Sequence, residues 1–147
     1  MPVIRLRAAL QDDLDLAYRI TEDAMRPYVE QAFGGWNADE QWRKHEANFT
    51  PATHRIILVD AATAGFVAVE DFPDYTWLVK LYLFQAYRGQ GIGSKLLNDL
   101  LEDARTHGKP VTLQVLRVNL RAQALYCRHG FTVTGERPAH LFMTSGA

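Results

Sequence analysis

The period of hydrophobic and polar positions changes several times along the chain, and each change predicts an element. Val3–Arg7 alternates around Ile4 and reads as a first strand. From Leu14 the positions Leu14, Ala17, Tyr18, Thr21, Ala24 and Met25 keep helical spacing, with Asp12 or Asp13 placed to cap the start. Pro27 is expected to end or kink that helix, because it lacks an N–H and its ring collides with the preceding turn. The aromatic stretch 28–49 predicts a short turn near Tyr28–Phe33, a break at Gly34-Gly35, and a helix from about Ala38 to Asn48. Asn37 and Glu40 have the spacing of a capping box for it, and Pro51 closes it. His54–Asp60 is β-branched and short, and Gly65–Glu70 returns as its antiparallel partner across a turn at Ala61–Ala64. Tyr75–Phe84 contains the continuous apolar run Leu78–Phe84, the pattern of a strand buried on both faces. A helical period resumes at Leu96, Leu97, Leu100, Leu101 and Ala104, and Gly108-Lys109-Pro110 stops it. A strand at Val111–Val118, a short helix from Asn119 to about His129, and strands at Phe131–Glu136 and His140–Thr144 complete the order. That order, β-α-α-β-β-β-α-β-α-β-β, reads as α+β.

The chemistry concentrates where the apolar run meets the second helical stretch. Gly89, Gly91 and Gly93 fall on every second residue, which lets backbone amides approach a ligand with no Cβ in the way. The first amides of the helix that follows have no internal partner, and the helix dipole adds positive potential there. Arg88 supplies a formal charge beside them. A phosphate-bearing ligand is the expected occupant. The P-loop pattern fails, because its second glycine falls on Ser94 and Leu96 follows Lys95. The dinucleotide fingerprint fails at Ser94 as well, and it belongs early in a βαβ unit rather than halfway along a chain. The pattern [QR]-x-x-G-x-[GA] fits Arg88-Gly89-Gln90-Gly91-Ile92-Gly93 fully. A second block, residues 118–131 (VNLRAQALYCRHGF), has Asn119, Ala122, Tyr126, Gly130 and Phe131 in the arrangement Asn-x-x-Ala-x-x-x-Tyr-x-x-x-Gly-Phe. With both blocks in this order, the chain resembles the GNAT family of N-acetyltransferases.

The resemblance implies a single domain over 1–147, with a mixed, mostly antiparallel sheet of six to seven strands and about four helices on both faces. It implies acetyl-CoA as cosubstrate and direct acetyl transfer to a primary amine, an acyltransferase reaction. The amides of Gly89, Gln90, Gly91, Ile92, Gly93 and Ser94, with Arg88, would take the pyrophosphate. Leu81 and Leu83 would offer main-chain groups to the pantetheine arm, and the amide near Leu83 would polarise the thioester carbonyl. Asn119 would lie near the same arm. Tyr126 would be the general acid for the departing thiolate, or else only packing that hydrogen-bonds the sulfur. Many relatives carry a glutamate on the central strand as base. Here that position is Val79, so the base is unassigned; Glu70 is the nearest candidate in chain order, with Glu30 and a water chain open.

Tyr28, Glu30, Phe33, Trp36 and Trp42, with Tyr82 and His140, are candidates for an aromatic acceptor pocket holding a cationic amine. The plainer alternative makes most of the aromatics core. Composition narrows the rest. At 147 residues, 48% apolar and 22% charged, the chain is expected to be one soluble domain in the cytoplasm, a monomer or homodimer. A net charge of −1 gives no basic excess for nucleic acid or an acidic membrane. The N-terminus shows no signal-peptide pattern, and no apolar run is long enough to span a bilayer. One cysteine, Cys127, excludes an internal disulfide, and the five histidines lack metal-ligand spacing, so no metal is expected. The acceptor could instead be a protein amine, and a non-catalytic acyl-CoA sensor is the alternative from another class.

Overall fold

The computed structural model describes residues 2–146. Its elements are β1 (Ile4–Ala8), α1 (Leu14–Phe33), α2 (Ala38–Asn48), β2 (His54–Val59), β3 (Ala62–Asp71), β4 (Thr76–Leu83), α3 (Ile92–Thr106), β5 (Val111–Leu116), α4 (Leu120–Arg128), β6 (Thr132–Glu136) and β7 (His140–Thr144), with 3-10 turns at Gln11–Asp13, Pro51–Thr53 and Gln85–Tyr87. This is the expected order. The strands form one mixed seven-stranded sheet in the order β1-β2-β3-β4-β5-β7-β6. The chain divides into two compact units, Met1–Ala68 with Lys80–Gly89 and Val69–Val79 with Gln90–Ala147, the divisions falling inside β3 and β4.

In the first unit, β1 and β2 pair antiparallel from Ile4–Val59 to Ala8–Arg55, and β2 turns back into β3 through Asp60 and Ala61. Both turn residues have positive φ, 49° and 69°, an uncommon conformation for side chains with a Cβ. Asp60 holds the turn by accepting the Val3 amide on its carboxylate at 2.8 Å. Ala17 and Ile20 of α1, Ile56 of β2 and Phe66 of β3 are fully buried and form the core here. A chain of rings surrounds them. Tyr18 lies 5.5 Å from His45, His45 lies 5.6 Å from Phe49, and Phe49 lies 4.8 Å from His54. His54 lies 5.4 Å from Phe66, which reaches Tyr82 at 5.5 Å.

The first helix departs from its expected end. Pro27 does not stop it; α1 continues to Phe33, so the stretch Tyr28–Phe33 is its last part rather than a separate turn. A proline at 27 removes the N–H that would bond the Asp23 carbonyl one turn earlier. That carbonyl instead accepts from Arg88 Nη2 at 3.0 Å, so no acceptor is stranded. The break falls at Gly34, whose φ of 87° makes the left-handed cap and whose amide donates to Glu30 O at 2.9 Å. Asn37 caps α2 by accepting the Glu40 amide at 3.0 Å, while the Glu40 carboxylate turns to Lys44 at 3.4 Å. Half of the expected capping box is therefore present.

In the second unit, β4 pairs in parallel with β5 over Thr76–Leu78 and Val111–Leu113, and β7 runs antiparallel to both β5 and β6. α3 buries Leu96, Leu97, Leu101 and Ala104, the face its helical period predicts, and Val111, Leu113 and Met143 are inaccessible beside it in the core. Ser145 clasps the start of β5, its Oγ accepting the Val111 amide and its own amide donating to Val111 O, both at 2.8 Å.

Two sets of groups in the first unit contribute to the response to acid. Asp13 accepts from Arg7 Nη1 and Nη2 at 2.8 and 2.9 Å and from the Leu10 amide at 2.8 Å. The Arg7 guanidinium holds the carboxyl below its ordinary value against the opposing effect of burial. His45 and His54 are held below theirs mainly by burial among the rings. In each case the unfolded chain binds protons at a higher pH than the folded one, so stability falls as pH falls. A melting-temperature profile is expected to decline first below about pH 6.5, the histidine window, and again below about pH 4. Asp13→Asn should remove the second decline and cost about 1–3 kcal/mol at neutral pH.

Candidate active site

Gly91 caps α3 with φ 81° and no side-chain bond, which leaves the amides of Ile92, Gly93 and Ser94 as the helix's first turn. α4 packs against that turn. A Cβ on Gly93 would stand 3.7 Å from Leu125 Cδ2, and His129 bridges to Asn98 Oδ1 at 2.9 Å and Ser94 Oγ at 3.2 Å. Thus the glycine segment and the Asn119–Phe131 block, distant in sequence, are neighbours in space. Nothing in the chain marks His129 as the link.

Asn119 caps α4 by accepting the Ala122 amide at 3.1 Å and is buried. Its side-chain oxygen is committed to the helix; its side-chain N–H groups are the part available to a ligand. Tyr126 is 9% exposed, with its ring 5.5 Å from that of Phe131. The amides of His129 and Phe131 both donate to its carbonyl, at 3.0 and 3.1 Å, as the chain turns through Gly130. Burial pushes the phenol up to about 12, so it is neutral at any working pH. Cys127 is exposed.

Arg88 has a task that the motif does not suggest. Its Nε donates to Leu83 O at 3.0 Å, and its Nη2 donates to Asp23 O at 3.0 Å and Asp23 Oδ2 at 2.9 Å. Asp23 Oδ2 also accepts the Gln85 amide at 2.9 Å. The guanidinium therefore ties the end of β4 and the following turn to the acceptor that Pro27 sets free on α1. Its charge is paired, which leaves backbone amides as the main anion-facing groups of the motif.

A pocket of about 210 Å³ opens in the first unit, with Tyr18, Met25 and Val29 of α1, Trp36 of the following loop, and Lys80 and Tyr82 of β4 in its walls. Tyr18 stacks edge-on with Trp42 at 5.2 Å. Of the expected acceptor residues, the lining therefore includes Trp36 and Tyr82. Tyr28, Phe33 and Glu30 are not part of it; Phe33 is 60% exposed, and Glu30 pairs with Arg26 at 3.7 Å. His140 lies on β7 in the second unit, held below its ordinary value by burial and by Arg137. Glu70 is an exposed residue of β3, and Leu81 and Leu83 are half-buried on β4. The sequence reading missed Tyr18, Met25, Val29 and Lys80.

Two features of the lining are costly to the fold. Trp36 keeps a buried indole N–H with no hydrogen-bond partner among the described residues, worth about 1–3 kcal/mol. Burial pulls the Lys80 amine below its ordinary value, and among the described residues it has no ion-pair partner. Lys80→Met keeps the stem and removes the desolvated charge, so it is expected to raise the melting temperature by about 3–6 °C.

Comparison with known proteins identifies the family. The family profile described as the Acetyltransferase (GNAT) family matches residues 17–131. The spermine/spermidine N(1)-acetyltransferase of Bacillus subtilis is 30% identical over 82 residues, 49% of this chain and 54% of that protein. The L-methionine sulfoximine/L-methionine sulfone acetyltransferase of Salmonella typhimurium is 37% identical over 65 residues, 44% of this chain and 38% of that one. The chain thus spans about half the length, or less, of these curated relatives. The PaiA N-acetyltransferase of Thermoplasma acidophilum, solved in complex with coenzyme A, superposes with a TM-score of 0.79 at 16% identity, covering 99% of both chains. The chain belongs to the GNAT acetyltransferase family. No described helix is long and apolar enough to cross a membrane.

Proposed function

We propose that this protein, acting as one domain, is an acetyl-CoA-dependent N-acetyltransferase that passes the acetyl group directly from the thioester to the primary amine of a small molecule. The observation that carries this reading is the packing of α4 against the first turn of α3, which sets the helix of Tyr126 beside the amides of Ile92–Ser94. Relatives named for acetyl transfer to spermine and to methionine sulfoximine support it. A pocket of about 210 Å³ suits a small acceptor.

In this reading the amides from Gly89 to Ser94 hold the pyrophosphate, and Asn119 and the main chain at Leu81 and Leu83 meet the pantetheine arm. Arg88 fixes the Leu83 carbonyl, and the Leu83 N–H is the group proposed to stabilise the carbonyl oxygen. The amine nitrogen forms the new C–N bond, the carbonyl electrons move to oxygen, and their return breaks the C–S bond. Sulfur leaves with the electron pair and is met by the Tyr126 hydroxyl.

A primary amine is neutral in only about one molecule in 2,500 at pH 7, a deficit of ~4.6 kcal/mol. Since neither Glu70 nor Glu30 lines the pocket, we assign removal of that proton to water. The expected consequence is a kcat/KM that climbs with pH toward the acceptor's own pKa, with no fall from Tyr126 below about pH 10. The test is thiol release from acetyl-CoA with small amines, polyamines, amino acids and lysine peptides. Turnover confined to small amines supports the reading, and turnover confined to peptides overturns the acceptor part of it. Acetyl-CoA binding without turnover on any acceptor makes the protein a sensor.

A further inference from the structure

The charges around the pocket are unevenly paired. Asp23 is held by Arg88, Glu22 and Glu30 share Arg26, and Glu40 pairs with Lys44. These ion pairs engage four of the carboxylates on α1 and α2, and Asp15 on α1 acts on His45. The lining contains no aspartate or glutamate, yet it contains Lys44 and Lys80. Lys44 has its partner in Glu40, whereas Lys80 has no ion-pair partner among the described residues and is the buried cation of the lining. Its neighbours in the wall add no negative charge. His45 is neutral, with Nε2 donating to Leu14 O at 2.8 Å, and Trp36 offers a further unpartnered N–H. Met25, Val29 and the rings of Tyr18 and Tyr82 give the wall an apolar part, and Thr21, Gln41 and Asn48 add neutral polar groups. A polycation would meet an unpaired ammonium here and no carboxylate to neutralise its own charges.

We propose that the acceptor is a small amino acid, carrying a carboxylate as well as the amine on an apolar body, and that Lys80 Nζ is the group that binds the carboxylate. This rests on the acetyltransferase reading above and fixes the substrate class within it. A carboxylate on Lys80 would replace the counter-ion that the chain itself does not supply, and would favour the charged amine that burial disfavours. The Met25 and Val29 wall would take the apolar side chain. A volume of about 210 Å³ suits a compact acceptor.

The experiment compares matched acceptors in thiol release from acetyl-CoA: leucine, leucinamide and 3-methylbutylamine, which share a side chain and differ at the carboxylate, with spermidine alongside. The expected result is a kcat/KM for leucine at least about tenfold above each of the others, residing in KM. Lys80→Met and Lys80→Gln should both raise that KM about tenfold or more and bring the ratio of acid to amide toward one. The emission of Trp36 and Trp42 gives a readout that needs no catalysis. Leucine should change it saturably, more tightly than leucinamide, and the Lys80 variants should lose the difference. Equal or better use of leucinamide, 3-methylbutylamine or spermidine overturns the proposal while leaving the acetyltransferase reading in place. The absence of any carboxylate preference in both assays overturns it as well. A preference for leucine in the emission titration, with no turnover on any acceptor, supports the carboxylate site and overturns the catalytic reading instead.

Discussion

Tyr126→Phe should lower kcat for acetyl transfer by between about tenfold and a hundredfold, with KM for acetyl-CoA changed by less than about threefold. The size of the loss follows from the state of the phenol. Burial pushes it up to about 12. A coenzyme A thiol has a reference value of about 8.5, so complete proton transfer from the phenol to the thiolate is uphill by about 3.5 units, ~4.8 kcal/mol. A bound thiol in the same dry site is also raised, which narrows the gap without reversing it. The phenol then serves mainly as a hydrogen-bond donor to the developing thiolate, and a bond of that kind is worth about 1.5–3 kcal/mol. Full general-acid catalysis would be worth about 10²–10⁴. Phenylalanine keeps the ring that packs 5.5 Å from Phe131, so the melting temperature should hold and isolate the hydroxyl's share. Steady-state kcat and KM for both enzymes decide the matter: a loss of a thousandfold or more restores proton donation, and an unchanged kcat reduces Tyr126 to packing.

The legible parts of the chain were those in which local chemistry and tertiary packing agree. α3 shows its buried face in the spacing of Leu96, Leu97, Leu101 and Ala104, and Asn37 and Asn119 cap helices as their residue type predicts. The end of α1 was illegible because its solution is not local. Proline at 27 deprives the Asp23 carbonyl of its helical donor, and here Arg88, distant in sequence, provides another. The error carried over into the site. Tyr18, Thr21, Met25 and Val29 lie three or four residues apart along α1 and line one side of the pocket, and Val29 joins that stripe only once the helix is allowed past Pro27. Reading the aromatics from Tyr28 onward as the acceptor wall therefore found Trp36 and missed the α1 side. Lys80 was hidden for a different reason. A single lysine inside an apolar strand pattern reads as a solvated position, and only the structure reveals that it is buried in the pocket wall without an ion-pair partner among the described residues.

Gly65→Ala is expected to be the most damaging methyl group that can be added to this chain. In the sequence Gly65 looks like the opening residue of a strand, with no turn to demand it. In the structure it lies inside β3, completely enclosed, and a Cβ built there would fall on the carbonyl oxygen of Tyr82 and 2.9 Å from Leu83 Cα. Both obstacles are backbone, so no rotamer change can clear them. β3 and the end of β4 would have to separate, and Phe84 N would be drawn away from Ala64 O, which it bonds at 2.8 Å. Overpacking of a core usually costs about 1–3 kcal/mol. Backbone against backbone belongs at the upper limit or beyond it, enough to lower the melting temperature by about 10 °C. Gly35→Ala is the control, since a Cβ there meets open space and φ is not positive; it should leave the melting temperature within about 2 °C. The damage should extend to binding in whatever fraction still folds. Tyr82 lines the pocket, and Leu83 is held by Arg88, so a shift of that backbone moves the acceptor wall together with the amide proposed to stabilise the carbonyl oxygen. Thermal unfolding and acetyl-CoA turnover should therefore fall together in Gly65→Ala, whereas Tyr126→Phe lowers turnover alone. A Gly65→Ala protein that melted normally would mean that β3 and β4 do not approach as closely as the alternating glycine-to-carbonyl contact requires.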